Sequence, residues 1–431
     1  MSLILLKSEN PDLSYILQKN PETTPLVVKS LRFGNLFGFY SKSDPQTFVI
    51  YFRDGDDEVS YKSHPDEEYE YLNPTRYNSS MFIFNSIKEL LGHLENNRYK
   101  ECSRDVAGYE HTVTVNMVHV GIPKYLEFFA KSIPGIEMTY EQLVGHEYRL
   151  TIKTKRTMHD MINYLSLLSV FLILINDNEY LFIEEGLVDR FMKVMNNLDV
   201  EYYIRYLFKL RVINEKPSLF KQYKTDLEMS SRQKIVFKPG DTHEQRIQFV
   251  NDNLKFMFNI VDVGCGEGRY TIPFSKKVAH VHAIDIDPEV REGLAKTIKR
   301  KCVENVTIYD SIDTFINSVD ETHPFDVVCS EVIEHLEFDA VEEFMASLFK
   351  IGEAQRIVIT TPNSDFNKFY ALQGFRHADH KFEFNEIDFK NFVIDFVGKY
   401  GIAKKYGFEF HGVGDSVNGI HVSQAVIFTK R

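Results

Sequence analysis

The chain has 431 residues, 43% of them hydrophobic and 26% charged, with four cysteines and a net charge of −12. That length suggests two or three domains, with enough material for separate cores. The acidity excludes a protein that coats long nucleic acid, which needs cations to neutralise phosphates. It leaves room for an enzyme that grips a few nucleotides or receives them from a partner.

Cys102, Cys265, Cys302 and Cys329 form no C-x-x-C pair, so neither a disulfide framework nor a cysteine zinc site is indicated. The first seven residues lack the basic segment and long apolar core of a signal peptide, and a cytoplasmic location is expected. In chain order, 26–40 and 46–61 are rich in β-branched and aromatic residues, with a hairpin signal at Asp54-Gly55-Asp56. Residues 66–71 read as a solvated acidic loop. Helical spacing covers 81–94, 123–133 and 157–175, and 148–152 alternates like a half-buried strand. The longest apolar run, 165–175, is about half of the ~20 residues a bilayer crossing needs, and reads as a buried helix. No catalytic constellation appears in this mixed α/β half.

The polar stretch 214–241, with Pro217 and Pro239-Gly240, divides the chain. The expected organisation is an amino-terminal interaction region over 1–227, a linker over 228–240 and a catalytic domain over 241–431. Beyond the divide, a helix over 243–253 precedes strands at 260–263, 280–284, 306–309, 327–329 and 357–360. Strands alternating with helices predict an α/β, Rossmann-like, mainly parallel sheet with helices on both faces and ligands at its carboxyl edge.

The first of these strands runs into Asp262-Val263-Gly264-Cys265-Gly266-Glu267-Gly268. Its G-x-G-x-G spacing and the acidic Asp262 and Glu267 suit the cationic S-adenosylmethionine better than a pyrophosphate. Asp285 ends the second strand, where a carboxylate can accept both ribose hydroxyls of an adenosine. Ser311 follows the third strand, near the expected adenine. After the fourth strand come Glu331, Glu334 and His335, at i, i+3 and i+4, a spacing that shares one face of a helix. The loop after the fifth strand carries His377 and His380, and His380 is the expected fourth ligand of a divalent metal. Four protein ligands leave two octahedral positions for vicinal hydroxyls. Such a site takes Mg²⁺, with two imidazoles tilting the preference toward Mn²⁺ or Co²⁺. No H-E-x-x-H zinc peptidase motif is present.

Together, Asp262 to Gly268, Ser330-Glu-Val-Ile-Glu-His, Thr360-Thr-Pro-Asn with Phe366-Asn367, and Phe375-Arg-His-Ala-Asp-His-Lys-Phe-Glu resemble the small-RNA 3′-terminal ribose 2′-O-methyltransferases. Pro11-Asp-Leu-Ser-Tyr-Ile-Leu, Tyr71-Leu-Asn-Pro-Thr-Arg-Tyr-Asn-Ser-Ser and 168–177 extend the resemblance to the bacterial branch. The chain departs from the family with Phe384 in place of Trp and Asp310 in place of Gly. The resemblance implies S-adenosylmethionine-dependent methylation of an RNA 3′ end, with a cleaved tRNA as the expected RNA. It implies metal ligation by Glu331, Glu334, His335 and His380, and His377 at the reacting hydroxyl or the RNA end, with His335 beside it in the catalytic step. It also implies RNA repair beside a polynucleotide kinase–phosphatase–ligase, with the amino-terminal half supporting the ligase. A metal-dependent O-methyltransferase of small vicinal diols and a repair scaffold with vestigial activity are the alternatives.

Overall fold

The computed structural model describes residues 2–31, 34–54, 61–62, 71–72, 78–95, 103–176, 185–214, 217–319, 323–370 and 374–431. Turn residues 55–56, the acidic stretch 66–70 and residues 73–77 of the 71–80 motif lie outside the described residues. Two units are distinguished: Met1–Lys216 with Thr225–Arg232, and Pro217–Lys224 with Gln233–Arg431.

The first unit is built on strands β1 (Ser2–Ser8), β2 (Leu26–Leu31), β3 (Gly34–Tyr40), β4 (Thr47–Asp54), β7 (His111–His119), β8 (Ile136–Val144) and β9 (Glu147–Thr154). They form an antiparallel sheet in the order β2-β3-β4-β1-β7-β9-β8; β5 (Tyr61–Lys62) and β6 (Tyr71–Leu72) pair separately. The opening residues therefore serve as an inner strand, with Ile4 and Leu6 buried at alternate positions as the pleat requires. Helix Met158–Ile175 is almost wholly buried. It is the one helix among the described residues long and apolar enough to cross a membrane, and its burial marks it as a core helix. Its polar interruptions bond within the helix: Ser169 Oγ donates to the Ser166 carbonyl at 2.7 Å and Asn163 Nδ2 to the His159 carbonyl at 2.7 Å, while Asn163 Oδ1 is buried without a partner among the described residues. The segment expected as one helix over 81–94 starts as an α-helix, Ser80–Ser86, then passes through a π turn and a 3₁₀ turn.

The second unit contains, in order, β10 (Ile235–Val236), α1 (Thr242–Asn253), β11 (Asn259–Val263), α2 (Thr271–Ser275), β12 (Val281–Ile284), α3 (Pro288–Arg300), β13 (Val306–Tyr309), α4 (Ile312–Ser318), β14 (Pro324–Ser330), α5 (Phe338–Leu348), β15 (Glu353–Pro362), α6 (Glu386–Lys399), β16 (Tyr406–Val417) and β17 (Ile420–Lys430). The sheet order is β10-β16-β17-β15-β14-β11-β12-β13. Strands β11 to β15 are mutually parallel and β17, β16 and β10 antiparallel, so the α/β methyltransferase fold is present with an antiparallel edge. The parallel strands are continuous apolar runs because both faces are covered; Val261, Val327, Val328, Ile357 and Val358 are fully buried. Within 228–240, Ile235 pairs with Val417 and Val236 with Ser416. Phe237 is fully buried, and the Lys238 N–H donates to Asp415 at 2.7 Å. That part of the expected linker is thus a strand of this sheet.

Candidate active site

Strand β11 ends in a loop that turns on glycines. At Gly264 φ is +72°, and an added Cβ would meet Val332 Cγ2 at 2.3 Å. At Gly266 φ is +52°, and its N–H donates to Asp285 Oδ2 at 2.9 Å. L-residues enter this left-handed region only at a cost. Asp285, at the end of β12, also accepts the Asp287 N–H at 3.0 Å. Its carboxylate therefore holds the glycine loop and keeps acceptor capacity for other donors. Next to it Ile286 is 87% exposed, an apolar face that motif reading missed. Its signal is an isoleucine in an otherwise polar strand-to-helix turn.

Asp262 sits beneath the loop. Its carboxylate is buried and accepts Thr271 Oγ1 at 2.5 Å. Burial pushes its pKa up to about 6, partly opposed by the Thr271 hydrogen bonds. Ser311 caps α4 by accepting the Thr314 N–H at 3.1 Å. Its hydroxyl also meets Asp310 at 3.2 Å.

The acidic motif after β14 is not an α-helix. Glu331 takes φ +57°, a left-handed conformation that breaks the helical face, and a single 3₁₀ turn, Ile333–His335, follows. Strained backbone of this kind costs about 1–3 kcal/mol and persists where its surroundings enforce it. Here the Glu331 N–H donates to the Thr360 carbonyl at 2.9 Å.

Glu334, His335 and His380 nevertheless converge, their ligand atoms all within 4.8 Å of one another. Glu331 lies outside that group. One of its oxygens pairs with Arg246 at 3.2 Å and the other accepts Thr360 Oγ1 at 3.1 Å. Glu334 is fully buried; Oε2 accepts Thr361 Oγ1 at 3.1 Å, while Oε1 has no partner among the described residues. Burial first, and then the charge of Glu331, pushes its pKa well above the usual carboxylate range. Burial also lowers the His335 pKa, as do His380 and His377, against the pull of Asp379. An orphaned buried oxygen beside two imidazoles fits a bound divalent cation, which would supply the missing positive charge.

Both histidines are held from behind. His380 Nδ1 meets Glu383 Oε1 at 2.6 Å, and His335 Nδ1 meets Asp379 Oδ2 at 3.1 Å. In each ring this leaves Nε2 for a ligand role. The Glu383 side chain is fully buried and also accepts the Arg376 N–H at 2.7 Å and Asn367 Nδ2 at 2.6 Å. Neither carboxylate was singled out from sequence, nor was Arg246; the signal for Glu383 is its H-x-x-E spacing from His380. His377 is exposed, its ring 5.1 Å from that of His380. The structure thus brings Glu334, His335, His380 and His377 to one place, the carboxyl edge of β14 and β15. Gly264 connects the glycine loop to it through Val332.

Comparison with known proteins follows the same division. The Hen1 N-terminal domain family matches residues 3–232, and a methyltransferase domain family matches 260–352. A small RNA 2′-O-methyltransferase of Xenopus tropicalis is 33% identical over 214 residues, covering 45% of this chain and 56% of that protein. One of Mus musculus is 29% identical over 221 residues, covering 47% and 54%. The chain therefore spans about half the length of these curated relatives. A chain in the solved structure of the Pnkp1/Rnl/Hen1 RNA repair complex shares the fold over 99% of this chain and 100% of that one, with a TM-score of 0.81 at 24% identity.

Proposed function

This chain belongs to the Hen1 family, and from that premise we propose that it methylates the 2′-hydroxyl of the 3′-terminal ribose of RNA. The proposed setting is RNA repair, beside a polynucleotide kinase–phosphatase–ligase that the amino-terminal unit supports. The observation that carries the reading is the Glu334–His335–His380 cluster, with its orphaned carboxylate oxygen, placed against a glycine loop.

S-adenosylmethionine would supply the methyl group, and a divalent cation (Mn²⁺, Co²⁺ or Mg²⁺) would supply Lewis acidity toward a ribose diol. Gly264, Gly266 and Asp285 would hold the cofactor's amino-acid and ribose ends, with Ile286 and the Ser311 turn flanking the adenine. The buried Asp262 acts through the loop that it braces. Glu334, His335 and His380 would hold the cation, with Glu331 as a fourth ligand once released from Arg246. His377, exposed next to the cluster, accepts the 2′-hydroxyl proton through a ring nitrogen. Fixing the hydroxyl within about 3–3.5 Å of the methyl carbon contributes much of the remaining acceleration.

Methyl transfer to RNAs that differ only at the 3′ end tests this. A 3′ end with both hydroxyls should be methylated, and ends bearing 2′-deoxyribose or a 2′-O-methyl group should not. Equal incorporation into all three would overturn it.

A further inference from the structure

A groove of about 780 Å³ lies between α2 and α3, on the outer side of the glycine loop. Ile272 and Leu294 pack together beneath it. In parallel β-α-β units each helix runs antiparallel to its strands. The groove therefore leads from the loop, at the carboxyl edge of the sheet, toward the amino edge. From Gly293 to Arg300 on α3 that is about 10 Å.

Its charged lining is lopsided. Arg269, Lys276, Lys277, Arg300 and Lys301 line it, and Glu267 is the one carboxylate among the lining residues. All five cations are exposed. Lys277 is engaged, donating to Asn251 Oδ1 at 2.8 Å and lying over the Phe256 ring. The other four have no ion-pair partner among the described residues. Some cations elsewhere on this unit do find carboxylates: Lys296 pairs with Glu292 at 2.7 Å on α3 itself, and Lys390 pairs with Glu386 at 2.5 Å. In a chain with 62 acidic residues against 50 basic ones, a groove with four unpaired cations marks a surface complementary to an external anion.

We propose that this groove carries the sugar–phosphate backbone of the RNA body, upstream of the 3′ end held at the Glu/His/His cluster. The inference rests on the RNA reading above. Two observations favour a polynucleotide strand. The groove starts at the loop that borders the site. Its lining also has no aromatic side chain for bases to stack on, so contact is with phosphates and indifferent to sequence.

Salt-dependent binding of a fluorescently labelled single-stranded RNA with a free 3′ end, measured by anisotropy on the full chain, tests the proposal. If four cations each neutralise one phosphate, the groove contributes about 2.8 to the slope of log affinity against log salt, at about 0.7 per contact. The triple variant Lys276→Glu, Arg300→Glu, Lys301→Glu should lower that slope by about 2 and weaken binding roughly ten-fold or more in low salt. S-adenosylmethionine affinity should stay unchanged, which also reports an intact fold. The charge-keeping variant Lys276→Arg, Arg300→Lys, Lys301→Arg should bind like the parent. Identical slopes for parent and charge-reversed variant would overturn the proposal. So would loss of an acidic protein partner with RNA binding unaffected, which would give the groove to that partner. A parent that binds RNA through the groove but methylates none would leave this inference standing and remove the proposed activity instead.

Discussion

Replacing Glu383 by Gln should loosen the cation site without touching a ligand. The carboxylate takes three donors: His380 Nδ1, the Arg376 N–H and Asn367 Nδ2. A glutamine oxygen can keep the first two, but its amide nitrogen then faces Asn367 Nδ2, donor to donor. Asn367 cannot turn freely, because its Oδ1 accepts Arg376 Nε at 2.7 Å. One buried clash of this kind costs about 1–3 kcal/mol. The charge that fixes the His380 tautomer is lost as well, and such supporting carboxylates are typically worth 10–100-fold in metal affinity. Calorimetric titration of Mn²⁺ into the full chain should therefore show affinity about 10–100-fold weaker in Glu383→Gln, with S-adenosylmethionine binding within about two-fold of the parent. Parent-like Mn²⁺ affinity in a folded Glu383→Gln protein would refute the reasoning.

Ala substitution of Glu334, His335 or His380 should each abolish methyl transfer, as should excess chelator, and Mn²⁺ or Co²⁺ should restore more activity than Mg²⁺; full turnover in chelator would remove the cation assignment. Asp285→Ala should weaken S-adenosylmethionine binding at least several-fold, since buried donors left unpaired cost ~1–3 kcal/mol; Asp285→Asn, which keeps one acceptor for Gly266, separates loop bracing from ligand contact by calorimetry. Asp262 has its pKa raised from 3.8 to about 6, so between these values the folded chain retains a proton that the unfolded chain has released. Stability accordingly falls as pH rises through that window, by up to about 3 kcal/mol from this group. Thermal melts should show Asp262→Asn more stable than the parent above about pH 7, with the gap closing near pH 4; a gap independent of pH would refute this. Residues 228–431 alone should fold and methylate RNA, whereas a fragment starting at Val236 loses the Ile235–Val417 pairing and should melt lower. Residues 1–232 alone should stimulate a cognate repair ligase without methylating RNA.

Much of the catalytic unit is legible because its parallel strands are uninterrupted apolar runs and its loops carry their chemistry at strand ends. The glycine loop and the convergence of Glu334, His335 and His380 follow from that pattern. The helical face assigned to Glu331 does not. Three-residue spacing cannot reveal a left-handed residue, and Glu331, whose N–H bonds the Thr360 carbonyl, pairs with Arg246 instead. Strand β16 was missed because Gly407, Gly412 and Gly414 break the alternation that marks a strand, and β17 because the buried polar Ser423 and Gln424 interrupt its apolar run. Glycine is tolerated there by close packing: a Cβ on Gly412 would collide with the His421 ring. Strand β1 was weighed only against a signal peptide, which it does not resemble, since seven residues do not reveal the partners that place them inside a sheet. The short β10 is set by pairing with distant Val417 and Ser416, which no local pattern contains.

The contact between Gly264 and Val332 also restricts which sequences this site can explore. The position opening the cofactor loop and the position inside the acidic motif share one small volume. A library randomising both should return glycine at 264 almost regardless of its partner, because φ +72° excludes most side chains even when space is made. At 332 it should return residues no larger than valine or isoleucine. Changes that would be neutral one at a time are then filtered as a pair, and the two motifs, 68 positions apart in the chain, vary as a single word.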